Sequence, residues 1–107
     1  MTAGQFEDAA ERDPAPPRGM ARRIATICNQ RGLHARAAAR FVKTAALFEA
    51  EVLVRKNGTE VSGRSIMGLM MLAAAPGTVI ELAATGRDAE AAVTALANLV
   101  ECKFNED

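Results

Sequence analysis

The residues with the clearest chemical potential are gathered in Arg31-Gly32-Leu33-His34-Ala35-Arg36. His34 is the single histidine in 107 residues. By residue type alone, one histidine is most simply an ordinary surface or core group. Its context points elsewhere. It follows a Gly-Leu step and precedes an alanine-rich run without Gly or Pro, the composition of a helix. The first-turn amides of Ala35, Arg36 and Ala37 would then lack partners within that helix, and the helix dipole adds partial positive charge. Such amides make an anion site. Arg36 adds a permanently charged planar fork that matches phosphate oxygens. A neutral imidazole is a nucleophile, and these positive surroundings are expected to favour the neutral ring. The arrangement suits a phosphoryl group held covalently on His34. Ala35 and Arg36 would supply phosphate-binding backbone, and the Arg36 side chain would steady the oxygens. The second histidine, carboxylate pair or metal that independent hydrolysis needs is not evident.

A second stretch is Ser65-Ile66-Met67-Gly68-Leu69-Met70-Met71-Leu72. Ser65, or Ser62 before it, reads first as a helix N-cap, and that role alone explains a serine here. The run behind it is apolar on every side. A short helix on one face of a sheet cannot bury all of it. Some of Ile66, Met67 and Met70 are therefore expected at the surface, where exposed apolar groups mark a docking site and methionine adapts to several partners. Leu69 and Leu72 are assigned to the core.

The remaining elements follow from period and punctuation. Met20–Asn29 is expected as a first strand from its β-branched Ile24, Thr26 and Ile27. Either Ala25 with Ile27, or Ile24 with Thr26 and Cys28, could point inward. Ala35–Phe48 is expected as a helix with Ala38, Phe41, Val42, Ala45 and Phe48 on one face, started by a His34 ring that caps the first amides. Val52 and Val54 alternate with outward Glu51 and Arg55, and Asn57-Gly58 is a hairpin turn, so 50–62 is a two-strand hairpin. A short helix over 64–74 ends at Pro76-Gly77. Thr78–Thr85 is the last strand, with Ile80 and Leu82 inward. Asp88 is expected to cap a final helix to about Lys103, with Ala89, Ala92, Val93, Leu96, Ala97 and Val100 in one stripe. The order βαββαβα implies an α+β fold, a two-layer open-faced sandwich. Its four-stranded antiparallel sheet carries three helices on one face.

Composition bounds the function. The length allows one folded domain, assigned to residues 20–107. Residues 1–19 hold three of the four prolines and one large apolar group, Phe6, and are expected to be a disordered leader. Half the residues are apolar, and the aromatics are four Phe. Formal net charge is zero, so no bulk field favours nucleic acid or an acidic membrane. An RNA-binding α+β domain is disfavoured by the lack of Tyr, Trp and a stacking pair. Cys28 and Cys102 lack metal spacing and are expected to be free thiols, buried or half-buried. Glu49, Glu51, Lys56 and Glu60 are read as a solvated face. The first twenty residues lack an apolar signal segment. The apolar centre Ile66–Ala75 is shorter than the about 20 residues a bilayer needs. A cytoplasmic protein without metal, cofactor or membrane contact is expected.

Gly32-Leu33-His34-Ala35-Arg36, with Ala37-Ala38 after it and Ser65-Ile66-Met67-Gly68-Leu69-Met70 downstream, resembles the HPr family. These are histidine phosphocarriers of the phosphoenolpyruvate-dependent phosphotransferase system, in sugar-transport and nitrogen-related branches. The resemblance covers about residues 20–104. It implies that His34 accepts phosphate on Nδ1 from phospho-Enzyme I and passes it to an enzyme IIA-type acceptor, with Arg36 steadying it. It implies that Ser65 is the target of an HPr kinase/phosphorylase. It also implies that Ile66, Met67 and Met70 join the histidine loop as the shared contact surface of a monomer. The protein would be a carrier in a phosphorelay rather than a free-standing enzyme. The family usually has proline where this chain has Ala37. The alternative from residue chemistry is a non-covalent anion-binding regulatory module.

Overall fold

The computed structural model describes residues 19–106. Its elements are β1 (Met20–Thr26), α1 (Ala35–Ala45), β2 (Glu51–Lys56), β3 (Thr59–Ser62), α2 (Ile66–Met71), β4 (Val79–Thr85) and α3 (Ala89–Glu101). A 3-10 turn, Lys103–Asn105, follows. The four strands form one sheet in the order β1-β4-β2-β3. Every neighbour pair is antiparallel, with Ala25 opposite Ile80, Val54 opposite Leu82 and Val54 opposite Val61. This is the expected open-faced sandwich. The expected leader falls outside the described residues except for Gly19, whose carbonyl accepts from the Gly86 amide at 2.7 Å.

The strands present Ala21, Ala25, Val52, Val54, Ile80, Leu82 and Ala84 to the helices, all buried. Of the two faces open to β1, the alanine face is the inner one. Its small side chains let α3 pack close across β1 and β4, and Ile24 is left 65% exposed on the other side. From α1 come Ala37, Ala38, Phe41 and Ala45, and from α3 Ala92, Val93, Leu96 and Val100. The Asn57-Gly58 turn has φ of 49° and 84°, the left-handed pair that matches the twist of a tight hairpin.

The elements are shorter than periodicity suggests, each for a local reason. Beyond Thr26 the pairing passes to single backbone bonds: the Ile27 amide donates to Thr78 O at 2.8 Å and its carbonyl accepts from the Gly77 amide at 2.7 Å. After Ala45, the amides of Leu47 and Phe48 reach back only three residues, to Thr44 and Ala45, which tightens and ends α1. Ala73 has a φ of 53°, which α2 cannot continue through. Cys102 is the C-cap of α3.

Two side chains do other work than expected. Asp88 is the N-cap residue of α3, as expected, but its side chain makes no capping bond. Its Oδ2 accepts from the Glu49 amide at 2.8 Å, pinning the chain ahead of β2. Lys56 is not simply solvated: its Nζ donates to Leu72 O at 2.8 Å and Ala73 O at 3.3 Å. It thereby satisfies carbonyls left open at the end of α2.

Candidate functional site

The site begins at a turn. The buried Asn29 closes it, its carbonyl accepting from the Gly32 amide at 3.2 Å and its Nδ2 donating to Gly32 O at 2.8 Å. Gly32 has a φ of 67°, and a Cβ there would lie 2.5 Å from Ala74 O. Only glycine permits both the backbone sign and the close approach. That approach lets the Leu33 amide donate to Ala74 O at 2.9 Å, fastening the histidine loop to the segment after α2. Leu33 is buried and anchors the step before His34.

His34 is the N-cap of α1, as expected. Its Nδ1 accepts from the Arg36 amide at 3.3 Å, and its carbonyl accepts the first helical bond from Ala38 at 2.8 Å. The Ala35 and Arg36 amides therefore sit in the first turn beside the ring, where a helix leaves its amides without intrahelical partners and the ring takes up the one of Arg36. Arg36 is exposed and forms no ion pair among the described residues. Ala37 is fully buried.

The surroundings of His34 are not uniformly positive. The Glu106 carboxylate lies against the other ring nitrogen, with Nε2 at 3.1 Å from Oε1 and 3.0 Å from Oε2. Asn29 Nδ2 donates to Glu106 Oε2 at 2.7 Å. The hydrogen bond from His34 holds the Glu106 carboxyl below the ordinary glutamate range; the Asn29 bond adds to this and partial burial opposes it. Glu106 reaches this point because Phe104, fully buried, anchors the terminal turn. Arg40 of α1 donates to Phe104 O and holds the same turn.

Two partners thus select one tautomer. An ionised carboxylate only accepts, so Nε2 carries the proton. A backbone amide only donates, so Nδ1 presents its lone pair. The lone pair faces the helix start, where an anion would meet the first-turn amides. Beside the ring lies a cleft of about 230 Å³ lined by Arg31, Leu33, His34, Ala73, Ala74 and Ala75.

The second stretch meets this site through the segment after α2, and α2 itself packs against α1. The segment that follows α2 forms the cleft wall, so Ser65 lies at the far end of the helix, about 9 Å of axis away for six residues. Ser65 Oγ accepts from the Gly68 amide at 2.8 Å, the expected N-cap. Ser62 Oγ serves the Arg64 amide instead. Ile66, Met67 and Met70 are 41%, 70% and 42% exposed, while Leu69 and Leu72 are buried. Met71, at 76% exposed, and Leu47, also at 76%, belong with the exposed apolar groups and were missed. Glu106 was missed entirely; the nearest signal is Phe104, an apolar residue in an otherwise polar tail.

The profile of a family described as "PTS HPr component phosphorylation site" matches residues 21–102. The chain is 55% identical over 80 residues to the phosphocarrier protein HPr of Neisseria meningitidis, a span covering 75% of this chain and 90% of that protein. Among solved structures it is similar to HPr-C-His from Thermoanaerobacter tengcongensis. The TM-score is 0.77 at 44% identity, over 81% of this chain and 98% of that one. A solved HPr dimer from the same organism matches with a TM-score of 0.65 at 48% identity, over 75% of this chain and 92% of that one.

Proposed function

The chain belongs to the HPr family and is a phosphocarrier of the phosphotransferase system, and on that premise we propose that His34 carries the phosphoryl group. It accepts the group from phospho-Enzyme I, charged ultimately by phosphoenolpyruvate, and passes it to an enzyme IIA-type acceptor in the cytoplasm. The observation that carries this reading is the pair of contacts on the imidazole, carboxylate at Nε2 and amide at Nδ1. The Nδ1 lone pair attacks phosphorus, and the donor's bond to phosphorus breaks with its electron pair staying on the donor. The ring is then a phosphoimidazolium whose Nε2–H remains on Glu106. The long Arg36 amide bond is surrendered, and the Ala35 and Arg36 amides with the Arg36 guanidinium meet the phosphoryl oxygens. Passing the group on reverses each step.

Ile66, Met67 and Met70 form the docking surface beside the loop, which donor and acceptor use in turn. Ser65 is a second phosphorylation site, for a kinase/phosphorylase. A phosphate there adds about two negative charges next to the docking residues and weakens transfer from Enzyme I. The protein acts as a monomer, in contrast to the dimer described for the Thermoanaerobacter tengcongensis relative.

The test is incubation with phosphoenolpyruvate and Enzyme I, read by intact mass before and after acid. One acid-labile phosphate is expected on the wild type and none on His34→Ala. A label that survives acid, or persists in His34→Ala, sinks the phosphohistidine assignment. Reversible anion binding without covalent mass change would establish the non-covalent module instead.

A further inference from the structure

Two thiols far apart in the sequence lie near one another at the end of α3. Cys28 follows β1, and its Sγ lies 3.5 Å from Val100 O and 3.6 Å from Glu101 O. Cys102 is the next residue, the C-cap of α3. A carbonyl oxygen stands about 2.8 Å from the following Cα, so the Cα of Cys102 lies within about 6.4 Å of the Cys28 sulfur. The Cys102 side chain, turned toward Cys28, spans part of that gap. Rotation about its Cα–Cβ bond, with a small shift of the terminal turn, brings the sulfurs to the ~2 Å of a disulfide. Both thiols are free and exposed, so a small oxidant reaches either one. The expectation of buried or half-buried thiols fails here because Cys28 sits past the end of the strand and Cys102 past the end of the helix, both outside the packed layers.

We propose that Cys28 and Cys102 form a reversible disulfide by exchange with a glutathione-type disulfide, and that the oxidised protein is a slower phosphoryl carrier. One cysteine thiolate attacks the small disulfide and expels one small thiolate. The other cysteine thiolate then attacks the mixed disulfide and expels the second. The two protons lost by the cysteines end on the two released thiols, so the protein is oxidised by two electrons and the small disulfide is reduced.

The two cysteines flank the parts that hold His34. Asn29, next to Cys28, donates to both Gly32 O and Glu106. The turn after Cys102 carries Lys103, Phe104 and Asn105 at φ of 59°, 56° and 63° and then delivers Glu106. Left-handed backbone at three consecutive residues other than glycine persists only while surrounding contacts enforce it. Drawing Cys102 toward Cys28 displaces the start of that turn, and with it the carboxylate on Nε2. The transfer half of the proposal rests on His34 being the carrier; the disulfide itself does not.

The full-length protein is incubated with oxidised glutathione, quenched with iodoacetamide and weighed intact. The expected product is a monomer lighter by two hydrogens that takes up no iodoacetamide, while Cys28→Ser and Cys102→Ser each carry one glutathione. Alkylation at both cysteines, two glutathiones on one chain, or a disulfide-linked dimer would overturn the pairing. Phosphoryl transfer from Enzyme I is then compared for oxidised and reduced protein. Several-fold slower transfer, recovered with dithiothreitol and absent in Cys102→Ser, is expected. An unchanged rate in the disulfide form overturns the coupling. Failure of the reduced protein to accept phosphate at all would count against His34 as carrier and remove the coupling with it, leaving the disulfide decided by mass.

Discussion

His34 is held at both ring nitrogens, and the more informative contact is the one made by Glu106. The two residues are 72 positions apart, and their side chains are 18% and 15% exposed. The carboxylate has two effects: it fixes the proton on Nε2, and it offsets the positive charge the ring acquires when phosphorus bonds to Nδ1. Glu106→Gln keeps the shape but offers an amide that can donate or accept, so the tautomer is no longer fixed. Several-fold slower transfer from Enzyme I is expected with the fold intact, measured by rapid-quench kinetics and circular dichroism. The pH dependence has a definite sign. The folded state lowers the Glu106 pKa, so its stabilisation is fully present above the ordinary glutamate value. It is lost as pH falls through the lower, folded value. In a carboxyl-detected NMR titration, Glu106 should have a midpoint below that of glutamate in an unfolded peptide. A midpoint at or above the peptide value would show that the contact does not persist in solution.

At the scale of elements, α2 combines a cap, an exposed apolar surface and a brace. Ser65 Oγ holds the Gly68 amide. A Cβ at Gly68 would sit 3.0 Å from that Oγ and 3.2 Å from Val61 Cβ, so glycine lets the helix start and β3 approach. At the other end, Lys56 grips Leu72 O and Ala73 O, and Ala74 O then receives the Leu33 amide. The chain of contacts runs from hairpin to helix end to histidine loop. Ser65→Ala removes the cap and should lower stability by about 1 kcal/mol in urea denaturation, with transfer at the wild-type rate. Ser65→Asp retains a capping oxygen but places charge beside the docking residues. It should slow transfer from Enzyme I at low salt and recover partly as salt screens the charge. Wild-type transfer by Ser65→Asp would count against regulation through this residue.

At the scale of the molecule, the site depends on where the chain ends its last turn. Phe104 is fully buried with φ of 56°, and its carbonyl accepts from Arg40. It carries the terminal turn onto α1 and α3 and so brings Glu106 to the ring. Phe104→Ala should cost about 3–5 kcal/mol, the range for deleting a buried phenyl ring, read as a fall in the denaturation midpoint. Below that midpoint it should also release Glu106, abolishing the His34–Glu106 nuclear Overhauser contacts while the strand contacts remain. Loss of stability with the contact retained would show that other groups place Glu106.

Much of this was legible in the sequence because it is local. The alanine run that makes α1, the Asn57-Gly58 hairpin and the serine cap are settled by residues within four positions of one another, where dihedral preference and turn chemistry act. The histidine motif shares that property: Gly32, His34 and the first amides of α1 lie within a few residues. What only the tertiary structure decided are choices between partners distant in sequence. Alternation left two faces for β1, and close packing of α3 chose the alanines. Asp88 and Lys56 carry no local sign that one serves the Glu49 amide and the other the end of α2. Cys28 lies against the last carbonyls of α3, next to Cys102, only because β1 and α3 end at the same edge of the fold. Glu106, in an acidic tail, looks like any solvated charge until the burial of Phe104 turns it toward His34. Short-range preferences write the elements, and burial of the apolar faces then selects which polar groups meet.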